Sequence, residues 1–280
     1  MTGPNPITFV AAVNNREILE NNLLASPCLR RPHSHQILIQ EGYASAAKAY
    51  NDAIEKSENE LIVFMHQDVI LAEQWLSDLQ RALACLQEDD PDWGVIGSYG
   101  ETLNDNGRGY IYSSGLGIMG RPFERPAQVQ TLDEIVLILR KSSGLRFDES
   151  LPHFHMYGVD ICMAAEEAGR KNYAISAFCV HNTNPSLTLG SDFYECYRHV
   201  KRRWKERLPI QTTCVRITRY DRYMYRRRLG EMYVRFINRK DFGARRAVNV
   251  QQLLREVDRM LTQKRFVGPS RGDVVSESSI

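Results

Sequence analysis

Leu61-Ile62-Val63-Phe64-Met65 is an apolar run of buried-strand length that stops at His66-Gln67-Asp68. Burying an imidazole and a carboxylate costs free energy unless something compensates them. In an open α/β sheet, ligands bind at the carboxyl ends of the strands. There Asp68 can hold a divalent cation on a diphosphate. The residues leave a second reading equally open, in which Asp68 caps a helix beginning near Glu73 or Gln74. Three more apolar segments end in polar residues: Ile7 to Val13 at Asn14-Asn15, His35 to Gln40 at Glu41, and Tyr173 to Val180 at His181. As parallel neighbours, such strands would share one edge. Amide and carboxylate side chains there can read a nucleobase and ribose, while Asp68 and His181 hold a cation.

Positioning these residues requires alternating strands and helices. Arg16 to Ala25 has helical composition, and Tyr43 to Lys56 repeats apolar residues at the 3.6-residue period. A third helix follows Asp68, with Leu76, Leu79, Leu83 and Leu86 on one face. Strand–helix alternation of this kind implies βαβ units and a parallel sheet. Farther on, Trp93 to Tyr99, Tyr110 to Met119 and Gln130 to Arg140 read as strands. Gly158 to Ala168 reads as a helix ended by Gly169. The fold expected is therefore α/β, with a mostly parallel central sheet flanked by helices.

As an ordered set, several motifs resemble the family-two glycosyltransferases of the GT-A fold. The nucleotide-sugar half is matched by Asn51-Asp52-Ala53-Ile54, the strand Leu61 to Met65, His66-Gln67-Asp68-Val69 and a Trp75-Leu76 helix. The acceptor half is matched by Leu145-Arg146-Phe147-Asp148-Glu149, then His155-Met156-Tyr157-Gly158-Val159-Asp160-Ile161-Cys162 and Gly169. The resemblance spans about residues 5–185. It implies a nucleoside-diphosphate sugar donor and a Mn²⁺ or Mg²⁺ ion on Asp68, His181 and His66. It also implies donor contacts from Asn14, Asn15, Glu41, Asn51 and Gln67, and a catalytic base at the acidic helix start. The reaction implied is direct displacement with inversion onto a hydroxyl of a saccharide or lipid-linked acceptor, in surface-polysaccharide or glycolipid assembly.

This chain departs from the family pattern at two places. His66 replaces the first Asp of the usual Asp-x-Asp metal motif, and Gly158 falls where the base usually sits. Asp160 is the carboxylate left in that motif and the expected base, with His153 or His155 as substitutes. A base is needed because a sugar hydroxyl is a poor nucleophile until its proton is removed. The diphosphate leaving group also gains charge that a cation neutralises.

Other signals exclude more than they propose. Gly115-Leu116-Gly117-Ile118-Met119-Gly120 fits a dinucleotide fingerprint, but the Arg121-Pro122 that follows cannot open the required helix. Glu166 and Glu167 are helix neighbours that point in different directions, so they form no glycosidase pair. Six scattered cysteines without a C-x-x-C pair argue against a zinc ribbon and suit a reducing cytoplasm. The opening residues carry no signal-peptide pattern, and no apolar run is long enough to span a membrane.

Charge is unevenly distributed. Residues 190–280 hold 22 Lys+Arg against 10 Asp+Glu, leaving 14 against 24 in the rest. The expected organisation is a GT-A-like domain over 5–187, a basic helical extension over 190–265 and a disordered tail over 266–280. The extension interleaves aromatics with cations, as in Arg222-Tyr223-Met224-Tyr225-Arg226. An appendage whose aromatics pack on the main domain is the first reading, and an anionic membrane surface at the inner face of the cell membrane the second. Nucleic acid comes third, since no helix-turn-helix or RNP-like strand supports it. A nucleotidyltransferase is the enzymatic rival, against which the glycine-free Asn14-Asn15-Arg16-Glu17 counts. A polyanion-binding protein on a degenerate transferase domain is the non-enzymatic rival.

Overall fold

The computed structural model describes residues 6–30, 34–104, 107–186, 188–237 and 245–266. Its first third forms β1 (Ile7–Val13), α1 (Arg16–Asn21), β2 (Gln36–Glu41), α2 (Ala46–Lys56), β3 (Leu61–His66), β4 (Val69–Leu71) and α3 (Trp75–Asp89). Five short strands follow: β5 (Ile96–Gly97), β6 (Tyr99–Glu101), β7 (Arg108–Ser113), β8 (Gly117–Gly120) and β9 (Ala127–Val129). Next come β10 (Thr131–Leu132), β11 (Val136–Arg140), α4 (Tyr157–Glu167), β12 (Asn172–Ala174), β13 (Cys179–His181) and α5 (Ser191–Arg203). A two-stranded ribbon, β14 (Ile210–Gln211) and β15 (Arg216–Ile217), precedes α6 (Arg222–Phe236) and α7 (Val250–Phe266).

β1, β3 and β11 are apolar on both faces because helices cover both faces of their sheet. Val10, Ile62, Phe64, Leu137 and Leu139 pack in one core with α2, α4 and α5. Their neighbours Phe9, Ala11, Val63, Met65, Val136 and Ile138 pack in a second core with α1 and α3. Alternate residues of one strand thus serve opposite layers. The α2 stripe Ala46, Ala49, Tyr50, Ala53 and Ile54 follows the helical period and is buried. Ser45 caps that helix by accepting from Lys48 N.

The main sheet runs β2-β1-β3-β11-β5-β12-β9. It is mixed: parallel pairing holds for β2-β1-β3 and β5-β12, while β11 is antiparallel to both its neighbours and β9 to β12. A second sheet runs β10-β6-β7-β13-β4, with β8 also on β7. Three segments expected as single strands are each split between these sheets, Trp93 to Tyr99 at Ser98 into β5 and the start of β6. Gln130 to Arg140 breaks at Asp133-Glu134-Ile135 into β10 and β11, and Tyr173 to Val180 breaks at Ile175 to Phe178 into β12 and β13.

The compositional boundary near Gly190 is not a structural one. Phe193, Cys196, Tyr197, Val200, Trp204, Ile217 and Met224 lie in the same core as α2 and α4. The chain divides instead into units Met1–Arg246 and Ala247–Ile280. In the second unit, Asn249 caps α7 by accepting from Gln252 N at 3.0 Å. The expected disordered tail falls, after Phe266, outside the described residues. Among those described, no helix is long and apolar enough to cross a membrane.

Candidate functional site

Parallel register sets His66 opposite Ala12 and Glu41 opposite Val13, so three strands deliver polar residues to one edge. Gln67 cross-links that edge. Its Nε2 donates to Asn14 Oδ1 at 2.6 Å, and its Oε1 accepts from Asn14 N at 3.2 Å and Asn15 N at 3.1 Å. Asn15 also caps α1, accepting from Ile18 N. Glu41 is gripped by Arg16 Nε and Nη2 at 2.9 and 2.7 Å on the exposed surface. Asn51 is a correction to the expected donor contacts. Its amide donates to Phe147 O and Glu149 Oε1 and accepts from Phe147 N, which spends it bracing α2 against the 147–149 loop.

His66, Asp68 and His181 do converge. Antiparallel pairing of β13 with β4 sets His181 opposite Val69, and Asn182 N donates to Asp68 O at 2.9 Å. His181 Nε2 then lies 3.5 Å from His66 Nδ1 and 3.4 Å from Asp68 Oδ1. Ligand atoms of all three residues fall within 4.8 Å of one another. The outward atom of each is held by another group. His66 Nε2 meets Tyr157 Oη at 3.1 Å, His181 Nδ1 meets Ser113 Oγ at 3.5 Å, and Asp68 Oδ2 accepts from Arg246 Nη2 at 2.7 Å. Tyr157 Oη donates to Glu134 O and so accepts from His66 Nε2, which leaves Nδ1 bare and facing inward, as a metal-binding histidine requires. Burial and the neighbouring His181 push His66 down, which keeps its imidazole neutral. Two imidazoles and a carboxylate form a mixed set that fits a transition ion such as Mn²⁺ better than Mg²⁺.

Asp68 is not the cap of α3. Gln74 holds that position without a side-chain bond, and β4 intervenes between it and Asp68. Burial alone would raise the Asp68 pKa. The hydrogen bond and charge of His181, with His66 and Arg246, outweigh burial and hold the carboxyl well below the ordinary range. Arg246 was invisible to sequence reasoning, since it arrives from 178 residues away. Its Nε also donates to Asn182 O at 2.8 Å, and its N to Asn184 Oδ1 at 2.7 Å.

The expected base meets a different fate. Asp160 is 1% exposed, and both its oxygens are taken, Oδ1 by Trp204 Nε1 at 2.7 Å and Oδ2 by Arg203 Nη1 at 2.9 Å. Arg203 also meets Asp148 Oδ2 at 2.5 Å, and His199 Nε2 lies 3.0 Å from the same oxygen. This is an ion-pair cluster tying α5 to α4, and burial of Asp160 within it closes the carboxylate to an incoming hydroxyl, against the role expected of it. His153 Nε2 is 2.8 Å from Glu195 Oε2, and His155 lies edge-on to Phe193. His153 and Met156 both hold left-handed backbone (φ 59° and 62°), a strained route into α4. Glu134, in the break between β10 and β11, is a carboxylate that sequence reasoning passed over. Its Oε1 accepts from Gly158 N at 3.1 Å, and its backbone O accepts from Tyr157 Oη at 3.3 Å.

Comparison with known proteins agrees with this architecture. A family model described as "Glycosyltransferase like family" matches residues 8–201. A protein of Fuscovulum blasticum described as "ATP synthase subunits region ORF 6" is 27% identical over 165 residues, 57% of this chain and 66% of that protein. The chain thus spans just under two thirds of that relative. Among solved structures, GalNAc-T7 with UDP, GalNAc and Mn²⁺ is similar at a TM-score of 0.50 and 8% identity, over 71% of this chain and 48% of that one. TarS 1–349 of S. aureus gives 0.45 and 16%, over 70% and 64%. The first of these likenesses concerns the fold alone.

Proposed function

The chain belongs to the Glycosyltransferase like family, and from that premise we propose that it moves a sugar from a nucleoside-diphosphate donor to a hydroxyl acceptor with inversion and with the help of a divalent cation. One observation carries this reading. Inward-facing atoms of His66, Asp68 and His181 meet within 4.8 Å, at an edge also lined by Asn14, Asn15 and Gln67. Mn²⁺ held by those three residues would neutralise the charge growing on the leaving diphosphate. The chain's own part is to hold the ligand atoms in place through Tyr157, Ser113 and Arg246. Exposed Asn14 and Asn15, braced by Gln67, present amides, and exposed Glu41 a carboxylate, for the nucleoside.

The acceptor we place at a membrane, as a lipid-linked or surface saccharide at the cytoplasmic face, a setting in which all six cysteines can stay free thiols. Tyr225, Leu229, Met232, Tyr233 and Phe236 of α6 are exposed and fall on one helical face, with exposed Arg222, Arg226 and Arg228 beside them. The one acidic residue of that helix, Glu231, is turned inward onto Leu189 N and Tyr194 Oη. Salt-sensitive sedimentation with phosphatidylglycerol vesicles, lost in Leu229→Glu and Phe236→Glu, is the expected behaviour. Nucleic acid has no part in this reading.

The decisive test is thermal stabilisation by a panel of nucleoside-diphosphate sugars with and without Mn²⁺, because ligands of the folded state raise its melting point by mass action. A stabilising sugar nucleotide that needs Mn²⁺ supports the reading. Stabilisation by none of them removes it.

A further inference from the structure

The carboxylates of Glu41, Asp68 and Asp160 are each held by an arginine, and His153 by Glu195. Glu134 differs. Among the described residues no ion pair holds its carboxylate, and it is half-buried rather than sealed. We infer that Glu134 takes the proton from the acceptor hydroxyl, a role reached from a strand break rather than from the helix start; this rests on the transferase reading above.

The placement follows from the backbone. The chain leaves the second sheet at Leu132 and enters the first at Val136, so Asp133 to Ile135 bridge the seam between the two. Asp133 N donates to Tyr99 O on one side, and Ile135 O accepts from His66 N on the other. Glu134 is thereby fixed next to the strand that carries His66. Its backbone O meets Tyr157 Oη, and that hydroxyl meets His66 Nε2. One tyrosine thus separates Glu134 from the cation ligands.

α4 leaves room for the side chain. Its N-cap, Met156, makes no side-chain bond, and Gly158 N donates to Glu134 Oε1 instead. A Cβ at position 158 would sit 2.9 Å from Glu134 Cγ and 3.0 Å from Leu132 O, so the glycine is what lets the carboxylate reach the helix end. Burial, then the charge of Asp133, push this carboxyl up to about 8, against the pull of the Gly158, Tyr157 and Met156 N–H groups. Other titratable groups acting with it are Tyr50, Tyr157, Cys162, Cys196 and Cys214, all raised by burial and therefore uncharged near neutrality. A base whose pKa lies near the working pH is the efficient kind.

The step balances. The acceptor O–H bond breaks and its proton passes to a Glu134 carboxylate oxygen. The freed electron pair forms the new bond to the anomeric carbon. The bond from that carbon to the diphosphate breaks, its electron pair leaving with the diphosphate. Glu134 then releases the proton to solvent.

The test uses the whole 280-residue chain, the donor and Mn²⁺ identified by the stabilisation screen, and water as surrogate acceptor. Glu134→Gln keeps the oxygen that accepts from Gly158 N but loses proton affinity. Donor hydrolysis should fall at least ~100-fold, with donor binding within about twofold of wild type. The wild-type rate should rise with pH to a midpoint near 8, a limb absent in Glu134→Gln. Glu134→Asp, which keeps a carboxylate, should retain the limb at a reduced rate and serves if the glutamine variant misfolds. Melting supplies a readout free of substrate. The folded state keeps a proton the unfolded chain has lost between about 4.5 and 8, so wild type should lose stability relative to Glu134→Gln as pH rises through that window. Wild-type hydrolysis by Glu134→Gln, or a melting difference that ignores pH, would overturn Glu134 as base while donor binding stands. Failure of every donor to bind removes the transferase reading, and the base with it.

Discussion

Asp68 and Asp160 are both buried, and both meet an arginine from the C-terminal third of the chain, Arg246 at 2.7 Å and Arg203 at 2.9 Å. They differ in what the arginine leaves over. Arg246 takes one oxygen of Asp68, and the other faces His181 Nε2. At Asp160 the second oxygen goes to the Trp204 indole, and burial closes off its other lone pairs. The first carboxylate is oriented by its partner, and the second is consumed by two. An ion pair at a buried acid therefore says little about function until the remaining lone pairs are followed to their ends.

Substitution at each carboxylate can break this contrast. Asp68→Asn removes the charge that holds a hard ion, so Mn²⁺-dependent donor stabilisation should weaken at least ~100-fold; a metal response of wild-type size would put Asp68 on a level with Asp160. His181→Ala removes a neutral ligand, and the loss should lie within ~10–100-fold, read from the Mn²⁺ concentration that gives half the thermal shift. Ser113→Ala leaves all three ligands but frees His181 Nδ1, which should cost about 10-fold or less in the same titration. Asp160→Asn should leave donor binding and hydrolysis close to wild type. Its cost should appear in urea unfolding, as about 1–3 kcal/mol for disturbing a buried polar group. Loss of hydrolysis with no loss of stability would return the base to Asp160.

The legible part of the fold is local. Ile7 to Val13, Leu61 to Met65 and the α2 stripe declare themselves because burial on both faces or one demands an unbroken or periodic apolar pattern. The edge residues Asn14, Gln67, Asp68 and His181 followed from where those patterns stop. What escaped was any break inside an apolar run. Gln130 to Arg140 and Tyr173 to Val180 have strand composition throughout, yet each crosses between sheets, and Glu134 lies in one of those crossings. Composition also misplaced a boundary. Lys and Arg dominate after Gly190, but Phe193, Cys196, Tyr197 and Val200 recur at helical spacing and bury α5 in the main core. That spacing was the available signal. No comparable signal marks Arg246 or Ser113, whose roles exist only once distant strands and segments are brought together.

Arg246 also makes the proposed cation site two-sided. A divalent ion held between His66, Asp68 and His181 would face a guanidinium bonded to the same carboxylate, and the two positive charges would repel. Binding free energies at coupled positions are reciprocal. Whatever factor Arg246 costs the ion in affinity, the ion costs Arg246 in its hold on Asp68 and on Asn182 O. The backbone N–H of Arg246, now donated to Asn184 Oδ1, becomes a gauge of occupancy some 178 residues along the chain from Asp68. Its exchange with deuterium should quicken as Mn²⁺ is added, and Arg246→Gln should bind Mn²⁺ more tightly than wild type.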